Sequence, residues 1–67
     1  MSAPIRVLIA DDQALVRGAL ATLLGLEQDI DVVAQAGTGR EAVALVRERA
    51  VDVALLDIDM PDMDGLA

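Results

Sequence analysis

Short apolar runs alternate with segments of helical period along the first part of the chain. Ile5–Ala10 is almost wholly apolar and β-branched, which predicts a strand buried on both faces. Gln13–Leu24 then carries apolar residues at helical spacing and predicts an amphipathic helix. Gly25 stands where a glycine at the C′ position would end that helix.

The same alternation continues through the next part of the chain. Asp31–Ala36 predicts a second, less apolar strand. Thr38 and Glu41 match a capping box with Thr38 as the N-cap, so we expect a helix to begin there. Its apolar face continues to Ala50, and Val51–Leu56 predicts a third strand buried on both faces.

The remaining residues change in character. Ile58–Gly65 is acidic, contains Met and Pro, and predicts a loop. Leu66 and Ala67 are expected to begin a further helix that Asp64 caps.

The order of elements, β-α-β-α-β, predicts an α/β fold. Crossovers of this length imply parallel strands with right-handed connections. Strands that are apolar on both faces imply helices on both sides of the sheet, which places the first strand in the middle. The expected strand order is 2-1-3, as in an incomplete flavodoxin-like doubly wound sheet.

This topology gives Asp11, Asp12 and Asp57 a shared location. Asp11 and Asp12 follow the first strand and Asp57 follows the third. Ligand crevices form outside the carboxyl ends of strands where the strand order reverses, so we expect the three side chains to meet in an acidic pocket. Carboxylate oxygens suit Mg²⁺ or Mn²⁺. Each acid also has a structural interpretation, as a helix N-cap residue or a turn residue, and the pattern alone leaves both open.

Composition narrows the range of functions. The net charge of −7 disfavours direct contact with nucleic-acid phosphates. The absence of His and Lys excludes general-base His and nucleophilic Lys chemistry from these residues. The absence of Cys fits a reducing compartment. Apolar stretches are too short for a bilayer and no signal peptide is evident, so we expect a cytoplasmic location without membrane contact.

Two segments carry a family resemblance: Val7–Asp12, which ends in paired acids, and Val53–Gly65, which reads aliphatics, Asp, two residues, Met-Pro, two residues, Asp-Gly. The chain resembles the N-terminal part of the receiver domain of bacterial two-component response regulators. The likeness covers essentially all 67 residues and about the first half of a normal receiver. We therefore expect residues 1–67 to be the N-terminal portion of such a domain, with no output domain present.

The resemblance implies a role for each acid. Asp57 would be the phosphoacceptor, taking a phosphoryl group from the phosphohistidine of a sensor histidine kinase. Asp12 would bind Mg²⁺ directly, and Asp11 would act largely through a bound water and by orienting the site. Asp59 would offer its backbone carbonyl to the metal. In this interpretation the chain is a signalling protein and not an enzyme.

Further stretches, including Asp11–Gly18, resemble the subfamily with a LuxR-type helix-turn-helix output domain (NarL/FixJ-like). The intact protein would then regulate transcription and bind DNA only through that absent domain. The family's phosphate-contacting Lys and Ser/Thr lie in later strands and have no candidate here. Without those strands the third strand would be exposed, so we expect self-association, a swapped dimer or contact with further parts of the protein.

Three alternatives remain open on the residues. Leu55–Asp59 superficially matches the Asp-x-Asp motif of haloacid-dehalogenase-like phosphatases, with Asp57 as nucleophile and Asp59 as general acid/base, although Pro61 disfavours it. A calcium loop starting at Asp57 would place Pro61 at its fifth position, where an acid is needed. A vestigial pocket would leave only a dimerisation module.

The arginines of the helices are expected to be solvated charges: Arg17, Arg40, Arg47 and Arg49.

Overall fold

The computed structural model describes residues 3–57 as a three-stranded parallel sheet with two helices. The elements in chain order are β1 (Ile5–Ala10), α1 (Ala14–Gly25), β2 (Ile30–Ala36), α2 (Gly39–Arg49) and β3 (Val53–Leu56). The strand order is β2-β1-β3, which confirms the predicted flavodoxin-like doubly wound α/β arrangement. The predicted loop and helix start within Ile58–Ala67 lie outside the described residues.

β1 forms the centre of the core. Its last four residues, Val7 to Ala10, are buried, because β1 has a strand on each side and a helix over each face. Leu8 and Ala10 pack with Ala36 of β2 and Ala42 of α2 in one apolar cluster. On the opposite face, Ile9 borders a cavity beneath α1. Burying a side chain such as Leu8 stabilises the fold by about 2–3 kcal/mol.

A bulge in β2 decides which helix each half of that strand meets. Val7 pairs with Val32, but Leu8 pairs with Ala34, so Val33 is an extra residue in the ladder. Side chains alternate along a strand, so the bulge leaves Val32 on the face of Val7 and moves Ala34 to the face of Leu8. A plain alternation of Ile30, Val32, Ala34 and Ala36 would have placed all four on one face.

α1 begins one residue later than predicted, and the predicted role of Gly25 is wrong. Gly25 is the last helical residue, and among residues 3–57 no glycine has a positive φ. The helix ends instead at Leu26, which keeps right-handed backbone angles and donates its N–H to the Leu23 carbonyl at 3.2 Å, while the Glu27 N–H donates to the Leu24 carbonyl at 3.1 Å. A left-handed C′ residue is unnecessary because these bonds satisfy the last carbonyls.

The predicted capping box of α2 is confirmed. The Thr38 hydroxyl oxygen accepts a hydrogen bond from the Glu41 N–H at 3.1 Å. The Glu41 carboxylate in turn accepts from the Gly37 N–H at 3.0 Å, one residue earlier than in the usual box. At the other end, Ala50 is the C-cap, with left-handed backbone angles (φ 52°, ψ 60°).

β3 is shorter and far more exposed than predicted. It spans Val53–Leu56 and not Val51–Leu56, and all four of its residues are exposed. Val51 instead packs against the apolar cluster beneath α2, while Asp52 bonds to β1 through its backbone and its carboxylate. β3 lies at an edge of the described sheet, and no described strand covers its outer side. Its apolar sequence therefore does not translate into burial within residues 3–57.

Candidate metal centre

Three carboxylates converge at the carboxyl edge of the sheet, as the topology predicted. One oxygen each from Asp11, Asp12 and Asp57 can be chosen so that all lie within 4.8 Å of one another. Asp11 is buried, Asp57 is half-buried and Asp12 is exposed, so the cluster opens to solvent on the side of Asp12. Asp59, the predicted carbonyl ligand, lies outside the described residues.

Backbone hydrogen bonds at the ends of the ladders hold Asp11 and Asp57. The Asp11 N–H donates to the Ala36 carbonyl at 3.0 Å, and the Asp57 N–H donates to the Ala10 carbonyl at 3.0 Å. Each acid therefore sits at the last position fixed by sheet pairing, one beyond its strand. Because strand ends are positioned by the whole sheet, these two side chains start from rigid points.

The carboxylate of Asp11 has a second task in the β1–α1 loop. Its Oδ1 accepts a hydrogen bond from the Gln13 N–H at 2.9 Å, which is the two-residue pattern of an Asx turn. Gln13 is the N-cap of α1 and makes no side-chain capping bond of its own. Asp11 thus belongs both to the turn into α1 and to the acidic cluster, so its structural interpretation does not exclude the functional one.

The cluster favours a cation on electrostatic grounds. Two unit charges at such a separation repel by roughly 3 kcal/mol at an effective dielectric constant of about 20. Two oxygens bound to the same Mg²⁺ are at most about 4.2 Å apart, twice the metal–oxygen distance. The separation of up to 4.8 Å between the Asp oxygens is close to that value. The residues present therefore fit a hard, oxygen-preferring divalent cation.

A cavity of about 260 Å³ lies next to the acids on the α1 side of the sheet. Asp11 and Asp57 form its polar end, and the remaining lining is apolar. That lining consists of Ile9, Ala10, Leu20, Leu55 and Leu56. The apolar wall limits solvent on one side of the two carboxylates, which strengthens their response to a nearby charge.

Arg17 is a residue of this region whose role the sequence did not indicate. It is half-buried, and its Nη1 donates to the Asp11 carbonyl oxygen at 2.7 Å. Arg17 is therefore not only the solvated helix charge expected from the sequence but also a hydrogen-bond donor to the loop before its helix. Helical side chains lean toward the N-terminus of their helix, so an arginine in the first turn can reach back to the loop before it. The separation of Arg17 from Asp11 along the chain is the sequence feature that is compatible with this contact.

The described residues include no helix with the length and apolar character needed to cross a membrane.

In a comparison with protein-family models, residues 7–67 match the response regulator receiver domain. Similar curated proteins include the transcriptional regulatory protein UhpA of Escherichia coli (52% identity over 62 residues) and DesR of Bacillus subtilis (47% over 62). The aligned parts cover 92% of this chain but 32% and 31% of those proteins. This chain therefore spans about a third of their length.

A third similar protein is named as an enzyme and not as a transcriptional regulator. A protein-glutamate methylesterase/protein-glutamine glutaminase of Anaeromyxobacter dehalogenans is 51% identical over 63 residues, and the match covers only 17% of it. The shared segment thus occurs in proteins with different overall activities.

Two solved structures resemble this fold closely. One contains the P1 domain of CheA3 in complex with CheY6 from R. sphaeroides; the similarity has a TM-score of 0.85 and 44% identity, and covers 97% of this chain and 51% of the matched chain. The other is the signal receiver domain of the putative response regulator NarL from Mycobacterium tuberculosis, with a TM-score of 0.84, 37% identity, and coverage of 90% and 48%.

Proposed function

This chain belongs to the response regulator receiver domain family, and on that basis we propose that Asp57 accepts a phosphoryl group from the phosphohistidine of a sensor histidine kinase. The observation that supports it is the convergence of Asp11, Asp12 and Asp57 at the carboxyl edge of the sheet. One matching structure holds CheY6 in complex with the P1 domain of CheA3, which supports the docking of a partner protein domain on this fold. Residues 1–67 would then be the N-terminal portion of the receiver.

The reaction is a transfer of one phosphoryl group. An Asp57 carboxylate oxygen attacks phosphorus while the phosphorus–nitrogen bond of the phosphohistidine breaks. The electron pair of that bond returns to the imidazole, which takes up a proton. The product on this chain is an acyl phosphate, and water later attacks its phosphorus and restores the carboxylate. The half-buried position of Asp57 keeps it open to a large donor.

A bound Mg²⁺ or Mn²⁺ would neutralise charge on the transferring phosphoryl group. Asp12 is exposed and is the proposed direct ligand. Asp11 is buried and already accepts the Gln13 N–H, which suits a ligand that acts through water and orients the site. The Asp57 carboxylate and the Asp59 carbonyl would complete the set from the protein side.

The family assignment favours this function over the alternatives weighed above. A dehalogenase-like phosphatase would use Asp57 and Asp59 as nucleophile and acid/base, whereas the family match extends over residues 7–67. UhpA and DesR are named transcriptional regulatory proteins, which supports transcription control by the intact protein through a DNA-binding output domain. A non-enzymatic role and a cytoplasmic location remain predictions.

Phosphorylation by a small acyl phosphate tests the proposal directly. We expect intact mass spectrometry to show one added phosphoryl group on the wild-type chain in the presence of Mg²⁺. Removing Mg²⁺ with a chelator, or the Asp57→Asn substitution, should abolish it, because the acceptor or the charge neutralisation is lost. The control is Asp31→Asn, which makes the same chemical change at an exposed acid on β2. Unmodified wild type, or equal modification of Asp57→Asn, would overturn the proposal.

A further inference from the structure

The Arg17 guanidinium holds the peptide group that joins two acids of the candidate metal centre. Its Nη1 lies 2.7 Å from the Asp11 carbonyl oxygen. That carbonyl belongs to the peptide bond between Asp11 and Asp12. Since a peptide group is planar, fixing its oxygen also fixes the direction of the Asp12 N–H and limits where the Asp12 side chain starts.

With this bond, Asp11 is restrained at three points. Its N–H donates to Ala36 at 3.0 Å, its carboxylate accepts from Gln13 at 2.9 Å, and its carbonyl accepts from Arg17. The first bond ties it to β2 and the other two tie it to the start of α1. Within residues 3–57, these hydrogen bonds of the loop thus orient Asp12 through Asp11.

Gly37 leaves the space in which Arg17 lies. A Cβ atom built on Gly37 would be 3.3 Å from Arg17 Nη1 and 3.4 Å from Glu41 Oε1. Both distances are at the tight end of normal carbon contacts, and both neighbours are flexible side-chain ends. A side chain at this position would therefore crowd Arg17 Nη1 by a few tenths of an ångström, and Gly37 leaves the approach of Arg17 to Asp11 unhindered.

We propose that Arg17 is a positioning residue that orients the Asp11–Asp12 peptide so that these carboxylates converge with Asp57 on a divalent cation. The inference rests on the proposed metal site. Two effects of Arg17 on cation affinity have opposite signs. Its positive charge repels Mg²⁺, so a purely electrostatic role predicts tighter binding once that charge is removed. Positioning predicts weaker binding, because the acids lose their preset arrangement.

Calorimetric Mg²⁺ titration of the wild-type chain and Arg17→Met separates these effects. We expect Arg17→Met to bind about tenfold more weakly, as is typical when a group that orients a metal ligand is lost. Arg17→Lys, which keeps a charge and a donor, should recover part of the affinity. The control Arg47→Met removes the same charge from an exposed residue near the far end of α2 and should bind like wild type.

A metal-free measurement tests the positioning itself. The backbone amide of Asp12 should change its ¹H–¹⁵N chemical shift in Arg17→Met and less so in Gly37→Ala, which keeps the charge but crowds Nη1. Equal or tighter Mg²⁺ binding by Arg17→Met, or an unchanged Asp12 amide, overturns the inference. The Asp12→Ala variant tests the proposed metal site separately. If it binds Mg²⁺ as tightly as the wild type, the proposed metal site itself is wrong. Circular dichroism establishes that each variant is folded.

Discussion

Ala50 adopts a conformation that suits glycine better. Within residues 3–57 it is the only non-glycine residue with a positive φ. The left-handed region places Cβ too close to the following carbonyl and costs an L-residue roughly 1–2 kcal/mol. The residue persists there because its left-handed angles turn the chain sharply from α2 toward β3.

Replacing Ala50 with glycine should therefore stabilise the chain. We expect Ala50→Gly to raise the free energy of unfolding by about 0.5–1 kcal/mol, since relief of the Cβ clash exceeds the added backbone entropy of glycine. Urea denaturation followed by circular dichroism measures it. The matched change Ala44→Gly, at an exposed site inside α2, should destabilise by about 1 kcal/mol. A loss of stability in Ala50→Gly would contradict the strain argument.

The three acids are also locally unfavourable, because their negative charges repel one another. Asp11, Asp12 and Asp57 lie close enough to repel, yet two of them occupy positions fixed by the sheet. The sequence indicated this convergence because the chain order of the strands determines which strand ends are neighbours. The spacing of Arg17 from Asp11 permits their contact, but the sequence does not specify the side-chain path that Arg17 takes past Gly37.

At the level of elements, Arg6 connects β1 to the end of α2. Its guanidinium donates to the Arg49 carbonyl at 2.8 and 3.3 Å and to the Ala50 carbonyl at 2.9 Å. Its backbone N–H donates to the Asp52 carboxylate at 2.9 Å, and its carbonyl accepts from the Asp52 N–H at 2.8 Å. A cation that bonds to the last carbonyls of a helix also complements the helix dipole.

Loss of the Arg6 side chain should weaken the junction between α2 and β3. We expect Arg6→Met to lower the free energy of unfolding by about 1–2 kcal/mol, the range for a charged hydrogen bond discounted for partial exposure. Arg47→Met removes the same charge from the same end of the helix and should cost much less. Chemical denaturation compares the two. Equal effects would show that the charge alone matters and that the hydrogen bonds do not.

Sequence motifs predict the ends of helices and strands well where the hydrogen bonds at those ends join residues close together in the chain. The capping pair Thr38 and Glu41 marked the start of α2 because its bonds span only a few residues. The predicted helix end at Gly25 is wrong because a helix can also end with right-handed backbone angles, as at Leu26. The start of β3 was placed too early because Asp52 makes its bonds to β1 before the regular ladder begins. The exposure of β3 depends on sheet partners, which its own residues do not specify.

At the scale of the whole sheet, β3 forms one edge within residues 3–57. Val53, Leu55 and Leu56 remain 43–44% exposed, and edge strands readily pair with other strands. For residues 1–67 on their own, we predict that a second copy covers this edge by antiparallel pairing of β3 with itself. Pairing about the middle of β3 would place Asp52 opposite Asp57 of the other copy, so like charges would weaken the contact.

This arrangement predicts association that strengthens with salt. Sedimentation velocity should show more dimer as ionic strength rises, because screening reduces the repulsion between the flanking acids. Val53→Lys should abolish the dimer, since a charged side chain blunts an edge strand. The same kind of change at Leu26, 76% exposed beyond α1, is the control and should leave association unchanged. A monomer at all salt concentrations would argue against the proposed pairing.

Val33, the bulged residue of β2, has a consequence for changes in chain length. The residues on either side of it, Val32 and Ala34, pair with consecutive residues of β1, Val7 and Leu8. A chain lacking Val33 could therefore keep all six pairs of this ladder, with each remaining side chain still on its present face. Deletions usually shift a strand by one residue and reverse its faces, but here the ladder already contains one more residue than pairing requires. We therefore expect deletion of Val33 to leave the core and the position of Asp11 at the end of β1 unchanged.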